Sequence, residues 1–292
     1  MKIKYIALIM LILLLVGCQR GMVRPNIEAK TNTPIYAKHF SPSAWNMPMG
    51  SVIPEGSNLV IRKRPSSSGG MMIGMLFGPL GVAVTNESMK STTNEVAPTL
   101  DALKNFNSAN EVNELIKSKV KNNSLGQQLK FIGTSIENNH YEISPYNYLA
   151  IGSKDKVQIS VVLKVSEYDK EGTDIWSGQY VRHIPTLYLL ESIRDSTNGA
   201  SPSEIIKEVR DATNIALNVL INDLNHNLGQ ERKATLSFTD VLPFSGIELS
   251  GNYLLDKNAE YHLFRSPAAS AAPIWFGLHI FDANQIKIIT EG

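Results

Sequence analysis

A long run of alternating apolar and polar residues, followed by a turn and a return strand, constrains the fold of this chain most. Between Lys156 and Tyr168 the apolar positions are Val157, Ile159, Val161, Leu163 and Val165, and the polar positions between them include Gln158, Ser160, Lys164 and Ser166. Gly172 then supplies the positive φ that a tight turn needs. Because successive side chains of a strand point to opposite faces, the pattern predicts an antiparallel hairpin with one apolar face.

Two capped helical segments accompany the hairpin. Ser108-Ala109-Asn110-Glu111 fits a capping box and predicts a helix from about 109 to 123. Ser201-Pro202-Ser203-Glu204 is a second capping box, with proline at the first helical position, and predicts a helix to about Asn227. The apolar stripe of this second helix is Ile205, Val209, Ala212, Ala216, Val219 and Leu224. We expect this stripe to pack on the sheet.

The remaining patterns complete an α+β fold. Asn58 to Pro65 and Leu129 to Gly133 have the composition of short strands, and a period of two returns from Ala234 to Thr290. We expect a mixed sheet with two main helices on one face, plus a C-terminal antiparallel β unit. That unit is either an extension of the same sheet or a second domain.

The amino terminus has the organisation of an export signal. Lys2 and Lys4 precede an apolar run from Tyr5 to Val16, and Gly17 follows it. The run is shorter than the roughly 20 residues of a spanning helix and is typical of a secretory signal peptide.

The end of this signal carries the single cysteine of the chain, so no intramolecular disulfide is available to it. Leu15-Val16-Gly17-Cys18 resembles the bacterial lipobox, whose cysteine becomes the acylated first residue of the mature protein. The resemblance implies a lipoprotein that bears palmitate and other acyl chains on Cys18, and Gln19 implies the periplasmic side of the outer membrane. A cleaved signal with an unmodified cysteine and an uncleaved anchor are the alternatives.

The segment after the cysteine is rich in proline, glycine and polar residues and keeps no regular period. A flexible segment of about 35 residues reaches roughly 30–35 Å, so we expect a tether that holds the body away from the lipid. Docking of Trp45 and Met47 on the body or in the lipid headgroups is the alternative. The predicted boundaries are 1–17 for the signal, 18–57 for the tether, 58–230 for an α/β domain and 231–292 for the β unit.

Gly70, Gly74 and Gly78 repeat at every fourth position in an apolar run that reaches Val84. This spacing lets helices approach closely in a bilayer, which makes the segment a candidate for membrane contact or self-association. The run is shorter than a span, and Pro79 removes a backbone donor within it. Both features favour a buried glycine-rich connection instead.

Composition and motifs point away from nucleic acid and from catalysis. The net charge is +1 with 19% charged residues, so the chain lacks the basic field that attracts nucleic acid. No G-x-S-x-G, P-loop or dinucleotide glycine motif occurs. The histidines, at 39, 140, 183, 226, 262 and 279, lack zinc-site spacing, and Asp169, Glu171 and Asp174 lack calcium-loop spacing. We expect no enzyme activity, metal or cofactor. An envelope hydrolase whose catalytic triad is assembled from distant residues is the alternative.

The hairpin sequence VVLKVSEYDKEGTDIWSG, Val161 to Gly178, resembles part of a known family. It is similar to the α/β domain of the TolB amino-terminal type, which recurs in periplasmic lipoproteins, including the curli-secretion lipoprotein family. The resemblance implies a binding or assembly role. The glycine-rich segment and the C-terminal β unit depart from it.

Together these patterns predict a non-catalytic outer-membrane lipoprotein that faces the periplasm. We expect it to act as a binding or accessory subunit of a cell-envelope complex, held by its lipid anchor and bound to an envelope protein. The alternative is a protomer of an oligomeric outer-membrane pore or secretion channel. Lys156 to Tyr168 exceeds the roughly 9–11 residues that a membrane strand needs.

Overall fold

The computed structural model describes residues 22–25, 32–40, 51–63, 100–126, 129–131, 139–152, 155–194, 201–255, 261–266 and 274–291. Within these residues the predicted fold class is confirmed. A mixed sheet of 12 strands carries two long helices on one face, and its C-terminal strands form an antiparallel unit.

The strands are β1 (Thr33–Ala37), β2 (Ser51–Val52), β3 (Leu59–Lys63), β4 (Leu129–Phe131), β5 (His140–Ile151), β6 (Lys156–Tyr168), β7 (Asp174–Leu189), β8 (Arg232–Phe238), β9 (Glu248–Leu255), β10 (Tyr261–Arg265), β11 (Leu278–Asp282) and β12 (Ile286–Glu291). The helices are α1 (Asp101–Lys104), α2 (Ser108–Lys121), α3 (Leu190–Arg194) and α4 (Pro202–Leu224). The sheet order is β12-β8-β9-β10-β11-β7-β6-β5-β1-β4, and β3 pairs with both β5 and β2.

The predicted hairpin is confirmed as β6 and β7, the centre of the sheet. Gly172 has a φ of +78°, and the Asp169 carboxylate accepts hydrogen bonds from the backbone N–H groups of Glu171 and Thr173. The acidic turn residue therefore closes the turn. The five alternating apolar side chains of β6 are at most 2% exposed and belong to the core that α2 and α4 share.

The second capping box is confirmed and the first is wrong. Ser201 Oγ accepts from the Glu204 N–H at 3.2 Å, while the Glu204 carboxylate accepts from the Ser201 N–H at 2.9 Å. At the start of α2, Asn107 is the cap, and its side chain accepts from the Asn110 N–H at 3.0 Å. Ser108 is buried instead, where its hydroxyl accepts from the side chain of Asn147, so it is not available as a cap.

Strand β5 was not predicted, and its central proline explains why. Its edge facing away from β6 is shared by two strands, since β1 pairs with Tyr141–Ile143 and β3 pairs with Asn147–Ile151. The Ile143 carbonyl and the Asn147 N–H both bond towards that edge, so Pro145, between them, has its missing N–H on the same side. Pro145 falls in the gap between β1 and β3, where no ladder bond is lost.

The prediction of a flexible tether over residues 18–57 is wrong for the described part of that segment. Thr33–Ala37 forms β1, which pairs in parallel with β4 and β5 near one edge of the sheet. The backbone N–H and carbonyl of Ala37 both bond the side-chain amide of Asn113 at 2.8 Å, which fixes β1 to α2. A strand of five residues is too short to show a period. Trp45 and Met47 lie outside the described residues.

The C-terminal strands extend the same sheet and then curl. β11 pairs in parallel with β7, near the centre of the sheet. β12 follows β11 after only a 3₁₀ turn, Ala283–Gln285, yet it pairs with β8 at the far end of the strand order. The strands from β8 to β12 must therefore bend round a core of their own, which includes Phe238, Phe244, Phe264 and Phe281. Their outer side chains, among them Leu254, Leu263 and Ile280, join the core beneath α4.

Candidate functional site

The residues that the sequence singled out lie outside the described part of the structure. These are Cys18, the proposed lipid site, and Gly70, Gly74 and Gly78 of the glycine-rich segment. The chain is described from Met22, four positions after Cys18. What the structure adds is the way in which this neighbouring segment is held.

Residues 22–25 dock against the first half of strand β7, which lies next to the β6–β7 turn. Met22 is only 4% exposed, and its sulfur accepts a hydrogen bond from the Gln179 N–H at 3.4 Å. The indole N–H of Trp176 donates to the Val23 carbonyl at 3.1 Å. A Cβ placed on Gly178 would lie 2.6 Å from the Met22 methyl group, so glycine is what permits this close approach.

Arg24 continues the docking into a network of ion pairs. Its guanidinium bonds Glu231 at 2.8 Å and the Gly229 carbonyl at 2.6 Å. Glu231 also accepts from Arg265 at 2.8 Å, and Arg265 in turn bonds Asp223 of α4 at 3.0 Å. The segment after Cys18 is thereby joined to both the sheet and the end of the longest helix.

The network favours the charged forms of Glu231 and Arg265 although both side chains are largely buried. Burial alone would raise the pKa of Glu231, but Arg265 and the hydrogen bonds from Arg24 and Asn252 hold it below its ordinary value. Burial would lower the pKa of Arg265, which the negative groups around it, Asp223 foremost, raise instead. Tyr180 donates to Asp223 at 2.8 Å and, because it is buried beside that carboxylate, has a raised pKa.

A second polar group lies on the opposite face of the sheet, between β6, β7 and β11. Ser160 Oγ is 2.9 Å from His183 Nδ1, and His183 Nε2 is 3.0 Å from His279 Nδ1. His279 Nε2 is 3.1 Å from the carbonyl oxygen of Trp275. We call these three side chains the serine–histidine chain.

The carbonyl at its end fixes the direction of every bond in the serine–histidine chain. A carbonyl only accepts, so His279 carries its proton on Nε2 and accepts on Nδ1. His183 must then donate from Nε2 and accept on Nδ1, so the Ser160 hydroxyl donates to it. Both imidazoles are neutral in this arrangement, and neither has a free acceptor for an added proton.

Burial keeps both histidines neutral. Burial first, and then the nearby His279 and Arg182, lower the pKa of His183 well below its ordinary value. Burial lowers the pKa of His279 to about 4, against a smaller opposite effect of its bond to Trp275. The three side chains are at most 1% exposed, so the Ser160 hydroxyl cannot reach a substrate from solvent.

Sequence reasoning missed this chain because the two histidines are far apart along the sequence. His279 of β11 pairs with Val181 of β7, which places it beside His183 across a parallel strand pair. No local spacing connects two positions on parallel strands, since any length of chain can join them. The serine was noted only as part of the polar face of β6.

A small cleft lies beside a bulge in β7. Between Ser160 and Gln158 of β6 the pairing with β7 skips the residues Ile184–Thr186, and the amide of Gln158 fills the gap by donating to the Ile184 carbonyl at 3.0 Å. The cleft has a volume of about 190 Å³. Asp211 and Glu208 both line it, and the Glu208 carboxylate accepts hydrogen bonds from Thr186 and from Tyr188.

The described ranges contain neither a candidate metal-binding cluster nor a candidate membrane-spanning helix. Across them, no group of three or more histidine, cysteine, aspartate or glutamate residues is arranged to hold a metal ion. No helix in that part of the chain has the length and apolar character to cross a membrane.

Comparison with known proteins identified no relative of this chain. No family model, curated protein or solved structure matches this chain. The resemblance carried by Val161 to Gly178 therefore stays a prediction.

Proposed function

We propose that this chain is a lipid-anchored, non-catalytic envelope lipoprotein, held through acylated Cys18 on the periplasmic side of the outer membrane. It acts there as a binding or accessory subunit of an envelope complex. The observation that carries the proposal is the docking of residues 22–25, because it makes the body of the protein continuous with the segment that bears the anchor.

The length of the intervening chain limits how far the body stands from the lipid. Four residues span at most about 14 Å, well below the 30–35 Å or so expected for a flexible tether of 35 residues. An acyl group on Cys18 would thus hold the body at the membrane surface in a restricted orientation. Attachment in a restricted orientation suits a subunit that must present one surface to a neighbouring envelope protein.

The alternative of a pore protomer has less support. Both faces of β6 are buried, one beneath the helices and the other beneath the C-terminal strands and the loops around them. The hairpin would have to leave this packing before it could enter a bilayer. A catalytic role has little support as well, because the serine–histidine chain is closed to solvent.

The anchor is tested first by cell fractionation and mass spectrometry of the mature amino terminus. Wild-type protein is expected in the outer membrane with an acylated Cys18, while the Cys18→Ala variant is released or stays unprocessed. An unmodified Cys18 in the wild-type protein would remove the anchor and the function class that depends on it.

The partner is tested by crosslinking in intact cells, followed by purification under denaturing conditions. An envelope protein should crosslink to the wild type in a fixed ratio and be lost from the Cys18→Ala variant. An exposed substitution outside the docked segment, Val120→Ser on α2, serves as the control for expression and folding. Recovery of the wild type without any crosslinked envelope protein would contradict the accessory role.

A further inference from the structure

One exposed apolar side chain belongs to the docked amino-terminal segment, residues 22–25, and a second lies on the strand to which it docks. The five large apolar side chains that are exposed among the described residues are Val23, Val120, Ile175, Leu189 and Ile289. Of these, Val23 belongs to the docked segment itself, and Ile175 precedes Trp176, whose indole bonds the Val23 carbonyl. Val23 is 63% exposed and Ile175 is 49% exposed.

The position of Cys18 brings these side chains close to the lipid. Cys18 lies within about 14 Å of Met22 for any conformation of the three residues between them. Ile175 is three residues from Gly178, the contact of Met22, which is about 10 Å along a strand. The exposed end of the hairpin therefore lies within roughly 30 Å of the attachment point of the acyl chains.

We propose that the end of the β6–β7 hairpin, with Val23, Ile175 and Trp176, is the surface that lies in the lipid headgroup layer. The proposal rests on the lipid anchor of the proposed function and adds the orientation of the body. Exposed apolar side chains at a membrane surface gain from burial among lipids. The half-buried ring of Trp176, whose N–H already bonds the Val23 carbonyl, adds apolar surface of the kind that is enriched at that depth.

The charges nearby indicate which kind of lipid the surface meets. The turn at the end of the hairpin carries Asp169 and Glu171 against a single Lys170, and Asp174 follows. Basic residues, which attract anionic lipids, are outnumbered here. The contact should thus be apolar, form on zwitterionic phosphatidylcholine, and change little with salt.

A fluorescent label tests the orientation. Ile175→Cys and Leu189→Cys place a single reactive thiol at opposite ends of the same strand, both at exposed positions, and an acylated Cys18 has no thiol to react. The lipidated, labelled protein is reconstituted in phosphatidylcholine vesicles with and without doxyl-labelled lipid. The label at position 175 should shift its emission to shorter wavelength and be quenched several-fold more than the label at position 189.

Flotation of the same samples separates the two proposals. If the wild type does not float with the vesicles, the anchor fails and the orientation fails with it. If the protein floats and both labels remain unquenched, the anchor stands and the orientation is wrong. Equal quenching at both positions also overturns the orientation, because the contact would then not be confined to the end of the hairpin.

Discussion

The two faces of strand β6 are both largely buried but are built from different chemistry. On the helix-covered face the side chains are aliphatic, and Leu163 among them is fully buried. On the other face Gln158 and Ser160 are at most 1% exposed as well. Alternation of this kind usually marks one dry and one wet face, so the pattern revealed which residues share a face but not whether water reaches it.

The two faces have different requirements for burial. Aliphatic side chains need only contact and volume, whereas a buried polar group needs a partner for each of its atoms. Gln158 donates to the carbonyls of Ile184 and Asp240 and accepts from the Leu242 N–H, so its amide is fully used. The polar face of β6 is therefore an internal hydrogen-bonded layer, and it depends on residues far away in sequence.

The largest expected effect concerns the charged network of Arg265, Asp223 and Glu231 on the helix face. Arg265→Met leaves the carboxylates of Asp223 and Glu231 buried without their shared cation, and should reduce the free energy of unfolding by about 3–5 kcal/mol. Urea denaturation measures the change. As a control, Arg210→Met removes an exposed ion pair with Glu111 and should change stability by less than about 1 kcal/mol. Similar losses in the two variants would mean that the buried network is dispensable.

The aliphatic part of that face should respond to lost volume. Leu163→Ala removes a fully buried side chain and should destabilise the protein by about 2–5 kcal/mol, because the core cannot close around the cavity. Ile289→Ala makes a comparable truncation at a position that is 42% exposed, and its effect should be much smaller. Thermal or urea denaturation that gives equal losses would show that the helix-covered core repacks.

How much of this could be predicted from the sequence depends on the range of the interactions. The β6–β7 hairpin and α4 were predicted because alternation and a capping box are local signals, and all six stripe residues of α4 are buried. The cap of α2 was misplaced by one residue because Asn107 and Ser108 are both able to cap, and only the contact of Ser108 with Asn147 decides between them.

The candidate sites were less accessible to sequence reasoning. The serine–histidine chain needs the parallel pairing of β7 with β11, and the docking of Met22 needs Gly178 on a strand more than 150 residues later. Neither contact produces a recognisable pattern among residues close together in the sequence. Strand β1 was hidden within a proline-rich segment because its burial comes from α2 and β5 rather than from a pattern of its own.

Acid should destabilise the polar face through its neutral histidines. The pKa of His279 is about 4 in the folded protein and near 6.5 when unfolded, so its contribution is complete above pH 6.5 and is lost as the pH falls to about 4. The loss amounts to roughly 3 kcal/mol for this group. Urea denaturation between pH 7 and 4 should therefore show a shallower decline for His279→Gln than for the wild type. Exposed His39→Gln is the control and should leave the slope unchanged, and an unaltered slope in His279→Gln would contradict a buried neutral imidazole.

The smallest expected effect compares two serine hydrogen bonds on that same face, one to a buried partner and one to a solvent-exposed partner. Ser160→Ala removes the donor to His183 Nδ1 and leaves a buried acceptor without a partner, which should cost about 1–3 kcal/mol. Ser166 lies on the same face of the same strand, but its partner Asp174 is exposed, so water can replace the hydroxyl and Ser166→Ala should lose less than about 1 kcal/mol. The two variants compare a hydrogen-bond partner that water cannot reach with one that it can. Equal losses in urea denaturation would mean that water reaches Ser160, and the polar face of β6 would then resemble the wet face that its sequence suggests.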